Sequence, residues 1–217
     1  MKKSSLLIVD DHPVMRLGLG ALINAQEDME ITGEAGTAAE ALEMIGKVNP
    51  DLILMDLSLP DKNGLELLKD VNAMFKGMKV LVISMHDEGI YAERVLRAGG
   101  RGYVMKEEAP ANLVKAVRIV LGGRIFVSPA ISARIVEMFS SHGAASAAQT
   151  PVDRLTDREL EVFQLIGEGL ASRDIAERLC VSVRTVDAHR AHIKEKMGYK
   201  EGTVLVREAV RWVESNR

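Results

Sequence analysis

The 217-residue sequence holds a single cysteine, Cys180. That excludes an internal disulfide and any zinc or iron–sulfur site built from several cysteines. Long apolar runs are missing too. The longest near the start, Leu6 to Val9, is ended at once by Asp10 and Asp11, too short for a signal-peptide core or a membrane span. Neither sign of charge dominates: 28 Lys+Arg against 31 Asp+Glu leave a formal −3. What remains is ordinary for a globular chain, with 47% hydrophobic and 27% charged residues. That composition argues against wholesale disorder and supplies a core for each of two domains. The expectation is a soluble, cytoplasmic protein of a reducing compartment with no membrane partner.

The first 125 residues alternate strand-like and helix-like stretches. Leu6–Val9, Leu52–Met55 and Val80–Ile83 are short continuous apolar runs, the pattern of strands buried on both faces of a parallel sheet. Met29–Gly33 and Gly102–Met105 are weaker candidates. Helical patterns lie near 14–25, 37–48, 64–75, 89–98 and 110–121. Ala38, Ala41, Leu42 and Ile45 show the helical period, and Asn49-Pro50 stops it. Five βα units predict a doubly wound α/β domain with right-handed crossovers and strand order 2-1-3-4-5.

Residues 130–139 place Ile131, Ile135, Met138 and Phe139 at helical spacing, a linking helix expected to pack on the first domain. Residues 141–151 hold no large apolar side chain and no Asp, Glu, Lys or Arg, so they read as a flexible linker. From Asp153 onward the pattern is helical throughout. Thr156 and Glu159 form a capping box before Leu160, Phe163, Leu165 and Ile166. Helices are expected near 156–168, 171–179, 182–197 and 203–213, the third capped by Ser182 and stopped by Gly198. Two helices joined by the short turn Cys180-Val181-Ser182 suit a helix-turn-helix. Residues 182–200 carry five Lys/Arg against two Asp/Glu within an otherwise balanced domain, which focuses attraction for phosphate on one helix. Val183, Val186, Ile193 and Met197 are expected to face the core, and Cys180 to fill the turn as a small buried residue.

Asp10 and Asp11 follow the first strand, Asp56 the third, Ser84 the fourth and Lys106 the fifth. In a parallel sheet all these points fall at one carboxyl edge, and strands one and three meet at the topological switch point. Three carboxylates in one crevice repel unless a cation intervenes. An oxygen-only cluster favours a hard ion, and Mg²⁺ suits it because it also bridges to phosphate oxygens. A carboxylate can act as a nucleophile and form an aspartyl-phosphate. On that reading Asp56 attacks, Asp11 and Asp10 hold the metal, and Lys106 and Ser84 bind the oxygens of the incoming phosphoryl group.

The stretches LLIVDDHP, LILMDLSLPDKNG, VISM and AGGRGYVMK resemble a CheY-like response-regulator receiver domain. Residues 155–210 resemble the LuxR-type helix-turn-helix domain. Together they are similar to NarL/FixJ-type response regulators, with a receiver over 1–125, a linking segment over 126–152 and a DNA-binding domain over 153–217. The resemblance implies a transcription regulator rather than an enzyme, phosphorylated on Asp56 by a sensor histidine kinase. It implies that Ser84 and Tyr103 form the switch pair, the hydroxyl moving to the phosphoryl group as the ring turns inward. It implies a third protein metal ligand, the Ser58 carbonyl, and a loop shaped by Pro60 and Gly64.

It also places Asp187, Ala188 and Ala191 toward base edges of double-stranded DNA, with Arg184, Thr185, Arg190 and Lys194 as backbone or base contacts. RNA polymerase is the further partner implied, and a homodimer when phosphorylated. The stripe Leu205, Val206, Ala209, Val210 and Trp212 would partly close the small domain and partly form a dimer seam. His86, beside the site, is expected to be solvated. Two other readings stand against this one. A metal-dependent phosphatase lacks its acid/base carboxylate, since Ser58 stands two residues after Asp56, and lacks a cap domain. A phosphoryl-relay or protein-binding module would lack operator-specific DNA binding.

Overall fold

The computed structural model describes residues 3–140 and 151–215. The expected linker at 141–151 lies outside the described residues except for Pro151, as do the side chains of Met138 and Phe139. The chain divides into two compact units, Met1–Phe139 and Ser140–Arg217.

In the first unit a parallel sheet has the order β2-β1-β3-β4-β5. Its strands are β1 (Ser4–Val9), β2 (Met29–Ala35), β3 (Leu52–Met55), β4 (Val80–Ser84) and β5 (Gly102–Met105). The three central strands are buried along their apolar runs, as expected of strands covered on both faces. The edge strand β2 instead alternates buried and exposed residues, which is why its sequence signal was weak.

Helices α1 (Pro13–Asn24), α2 (Ala38–Val48), α3 (Gly64–Met74), α4 (Glu88–Arg97) and α5 (Ala109–Leu121) make the crossovers. Leu6, Ile8, Leu52, Leu54, Leu81 and Ile83 share one core cluster with Leu19 and Ile23 of α1 and Leu113, Val117 and Val120 of α5. Asn49 ends α2 in the left-handed region at φ 44°, which asparagine adopts more readily than most residues, and Pro50 follows. After α5, helix α6 (Pro129–Ser140) belongs to the first unit up to Phe139, and its Ile131 is buried.

The second unit opens with a 3₁₀ turn at Pro151–Arg154. Four helices follow: α7 (Asp157–Gly167), α8 (Ser172–Arg178), α9 (Val183–Met197) and α10 (Gly202–Ser215). Leu160, Phe163, Ile166, Ile175, Val186, Ile193, Leu205 and Ala209 are all buried. Phe163 and Trp212 pack with ring centroids 5.6 Å apart. At Gly167 a Cβ would stand 2.4 Å from the Ala209 carbonyl oxygen, so α7 and α10 touch backbone to backbone. No helix among the described residues is long and apolar enough to cross a membrane.

Two expectations need correcting. Val183 is exposed rather than core-facing; at the first position of α9 it precedes the turn that Val186 buries. Cys180 is exposed rather than buried. It takes the left-handed backbone at φ 50°, and Leu179 beside it is the residue buried at the turn.

Candidate functional site

The β1 and β3 ends lie side by side, with Val9 paired to Met55, so Asp10 and Asp56 emerge together. Both are buried, as is Lys106 just past β5. Lys106 Nζ lies 2.7 Å from Asp10 Oδ2 and 2.7 Å from Asp56 Oδ2. One ammonium thus bridges two carboxylates supplied by separate strands. Backbone donors hold each carboxylate in place: Leu57 N–H donates to Asp56 Oδ1 at 2.7 Å and His12 N–H to Asp10 Oδ1 at 2.8 Å.

Burial pushes Asp56 above the ordinary carboxylate range, and the nearby charge of Asp10 adds to this; Lys106 and the Ser58 backbone only partly offset it. Burial alone would lower Lys106, but the charge of Asp56 and the hydrogen bonds to Asp10 and Asp56 outweigh it and hold the amine above its usual value.

Carboxylate oxygens of Asp10, Asp11 and Asp56 and a ring nitrogen of His12 lie within 4.8 Å of one another. Asp11 Oδ1 is buried and accepts no hydrogen bond. It stands 2.5 Å from His12 Nδ1 but outside hydrogen-bonding geometry. Three carboxylates against one ammonium leave the crevice a formal −2. A buried oxygen that accepts no hydrogen bond, an oxygen-rich donor set and a charge of this size fit a hard divalent cation. His12 joins the cluster beyond what the sequence suggested.

Ser84 is buried at the end of β4, its Oγ accepting from His86 N–H at 3.3 Å. Tyr103 is 1% exposed and its hydroxyl donates to the His86 carbonyl at 2.7 Å, so the ring sits inward. Burial pushes this phenol up, and the Ser84 side chain opposes the shift. His86 is not simply solvated, which corrects the expectation. Its ring stacks on Tyr91 at 4.7 Å and its Nε2 lies 3.1 Å from Ser58 Oγ. The aromatic partner, five residues on in α4, gave no signal.

Gly64 admits no side chain, because a Cβ would stand 2.5 Å from the Asp56 carbonyl oxygen. Three positioning residues escaped the sequence reading. Arg16 Nη1 donates to the Asp10 carbonyl at 2.7 Å and its Nε to Glu34 at 3.0 Å. The Asp61 carboxylate accepts from Ala38 and Ala39 N–H at 2.8 and 3.0 Å, tying the β3–α3 loop to the start of α2. Asn63 caps α3 through Leu65 N–H.

In the second unit α9 presents Arg184, Asp187, Ala188, Ala191 and His192 to solvent, with Thr185, Arg190 and Lys194 half-buried. The Thr185 hydroxyl is engaged with Ser182 Oγ at 2.8 Å in the helix cap. Asp187 accepts from Ser172 Oγ at 3.0 Å, joining the first turn of α8 to α9. Arg190 lines a shallow depression with Glu201, Gly202, Thr203 and Arg207 at the start of α10.

The family model of the response regulator receiver domain matches residues 6–118, and that of the luxR family of bacterial regulatory proteins matches residues 153–209. The oxygen regulatory protein NreC of Staphylococcus haemolyticus is 37% identical over 209 residues, which is 95% of this chain and 96% of that protein. RcsB of Salmonella enterica serovar Typhimurium, solved bound to the promoter P1flhDC with the phosphomimetic BeF₃⁻, is 25% identical. It covers 96% of this chain and 98% of its own, with a TM-score of 0.65. A structure of two RcsB dimers on two parallel DNAs is also 25% identical, over 95% and 97% of the chains, with a TM-score of 0.58.

Proposed function

The chain belongs to the two-component response regulators that join a receiver domain to a LuxR-type helix-turn-helix, a family of DNA-binding transcription factors and not of enzymes, and from that premise we propose that Asp56 is its phosphoacceptor. The observation that carries this reading is the Lys106 ammonium held 2.7 Å from Asp56 and Asp10 at the β1/β3 switch point. Asp56 attacks the phosphorus of a phosphohistidine on a sensor kinase. The new bond joins a carboxylate oxygen to phosphorus, the phosphorus–nitrogen bond breaks, and the electron pair returns to the imidazole. Lys106 and Ser84 then take the phosphoryl oxygens, and Tyr103 reports their position.

Asp10, Asp11, Asp56 and the Ser58 carbonyl would hold magnesium. When bound, the ion supplies the positive charge that lets a phosphoryl group approach three carboxylates. The kinase has an apolar place to dock beside the crevice. On α1, two and five residues past His12, Val14 is 81% and Leu17 71% exposed. Leu17→Glu is expected to slow transfer from the kinase while leaving labelling by acetyl phosphate unchanged.

The receiver is assigned to 1–125, the connecting segment to 126–152 and the DNA-binding domain to 153–217. Asp187, Ala188 and Ala191 face base edges, with Arg184, Thr185, Arg190 and Lys194 as further contacts. The place of Arg190 beside the start of α10 favours a phosphate contact. The phosphorylated protein pairs into a dimer on two half-sites of promoter DNA in the cytoplasm and there meets RNA polymerase. The RcsB complexes with DNA, in dimers and with a phosphomimetic, support this reading. The test is labelling by acetyl phosphate with mass-spectrometric mapping. Asp56→Asn is expected to lose the label entirely, and stoichiometric label on another residue of that variant would refute the assignment.

A further inference from the structure

Beyond α5 the backbone stays bound to the sheet edge. The Phe126 carbonyl accepts from Tyr103 N–H at 2.9 Å, and Phe126 N–H donates to the Arg101 carbonyl at 3.0 Å. This forms a parallel bridge opposite Gly102. Glycine is required there, since a Cβ would stand 2.6 Å from the Phe126 carbonyl oxygen.

Two residues on, Ser128 holds two helices at once. Its Oγ accepts from Ile131 N–H at 3.3 Å, capping α6, and donates to Glu88 Oε1 at 2.6 Å in the first turn of α4. Arg134 Nη1 donates to the Gly89 carbonyl of that same turn at 2.8 Å. Ile131, in the same turn of α6, is buried.

Glu88 stands two residues after His86, whose carbonyl receives the Tyr103 hydroxyl at 2.7 Å. The contacts therefore close a ring. The Tyr103 backbone binds Phe126, Ser128 binds Glu88, and the His86 backbone returns to the Tyr103 side chain. Ser84 Oγ touches the ring at His86 N–H. A shift of the Ser84 hydroxyl toward a phosphoryl group would therefore pull on the loop that leads to Glu88 and Gly89, which are hydrogen-bonded to Ser128 and Arg134 of α6 and its cap.

We propose that residues 126–134 form a latch, closed by Ser128–Glu88 and Arg134–Gly89, that is coupled through the Tyr103–His86 bond to the state of Asp56. Phosphorylation fixes the β4–α4 loop with Tyr103 inward and tightens the latch, which sets where the connection to the second unit begins. The inference rests on Asp56 being the phosphoacceptor. Coupling between two sites is reciprocal, so opening the latch must weaken what binds at Asp56.

The test uses the full chain with beryllofluoride and magnesium as the probe. Ser128→Ala and Glu88→Ala are each expected to weaken apparent beryllofluoride affinity by about five-fold or more. Glu88→Gln, which keeps an acceptor oxygen, restores much of it. Arg134→Ala, at an exposed site, weakens binding in the same direction without endangering the core, and Ser132→Ala leaves it unchanged. Hydrogen exchange at the Ile131 and Ser132 amides slows on beryllofluoride binding in the wild type but not in Ser128→Ala. In a Tyr103→Phe background the Ser128→Ala effect disappears. Wild-type affinity in both Ser128→Ala and Glu88→Ala, or an undiminished effect in that background, would overturn the latch and leave the phosphoacceptor standing. A wild-type chain that binds no beryllofluoride would overturn both.

Discussion

Asp56 and Lys106 make opposite contributions to stability, and the sign of each follows from its shift. Burial raises Asp56 above the ordinary 3.8. A group whose folded value is raised contributes stability that is fully present below the unfolded value and is lost as pH rises through the folded one. Ionisation of Asp56 is therefore a cost in the folded state, one that a bound cation would relieve. Lys106 is also raised, above 10.5, so its contribution is intact at neutral pH and disappears only in strong alkali. Asp56→Asn is expected to raise the melting temperature of the receiver transition at pH 7. Lys106→Met is expected to lower it, by destabilising the fold by roughly 3–5 kcal/mol, because it strands two buried carboxylates. Scanning calorimetry of the full chain reads both, and shifts of the same sign would contradict this balance. The five residues at the strand ends were legible because the sheet topology alone converges them. The bridging of Asp10 by Lys106 was not, since a sequence of strand ends gives no side-chain reach.

Helix boundaries show what neighbouring residues can and cannot announce. The Thr156–Glu159 box was legible because both members lie three residues apart, and Thr156 N–H does donate to Glu159 Oε2 at 2.8 Å. Lys196, which reaches the same oxygen at 2.6 Å from α9, was not, because 37 residues separate the pair. Burial would raise Glu159, but Lys196 and the Thr156 donors outweigh it and hold the carboxyl below 4.5. Its stabilising contribution is then present above 4.5 and lost as pH falls through the lowered value. Thr156→Ala is expected to cost about 1 kcal/mol, and Glu159→Ala more, since it also leaves Lys196 without its partner. Scanning calorimetry of the full chain reads both, and the Glu159→Ala effect is expected to shrink in acid. The ring through Phe126, Ser128 and Glu88 was hidden for the same reason as Lys196. It joins three segments whose individual sequences read only as strand end, helix cap and helix start. Cys180 was misread because apolarity ranks residues for burial but does not register a left-handed backbone.

At the scale of the molecule, a chain of formal charge −3 binds a polyanion because its positive charge is local. Residues 182–200 hold five basic side chains against two acidic ones, and Arg184, Arg190 and Lys194 enter no ion pair among the described residues. Each phosphate that such a helix neutralises adds about 0.9 to the slope of log K against log salt. Arg190→Ala is therefore expected to lower that slope by about 1 per DNA-binding domain and to weaken binding evenly across sequences, as a phosphate contact should. Arg184→Ala, at the exposed start of α9, is expected instead to relax the preference at one base position. On the proposed reading, pairing after phosphorylation would double the number of engaged helices. The phosphorylated chain on two half-sites should then show about twice the slope it shows on one, and Arg190→Ala should remove about 2 from it. Fluorescence anisotropy over a salt series measures each slope. An Arg190→Ala slope equal to the wild type's would place that side chain away from the DNA backbone, and equal slopes on one and two half-sites would mean that phosphorylation acts without pairing.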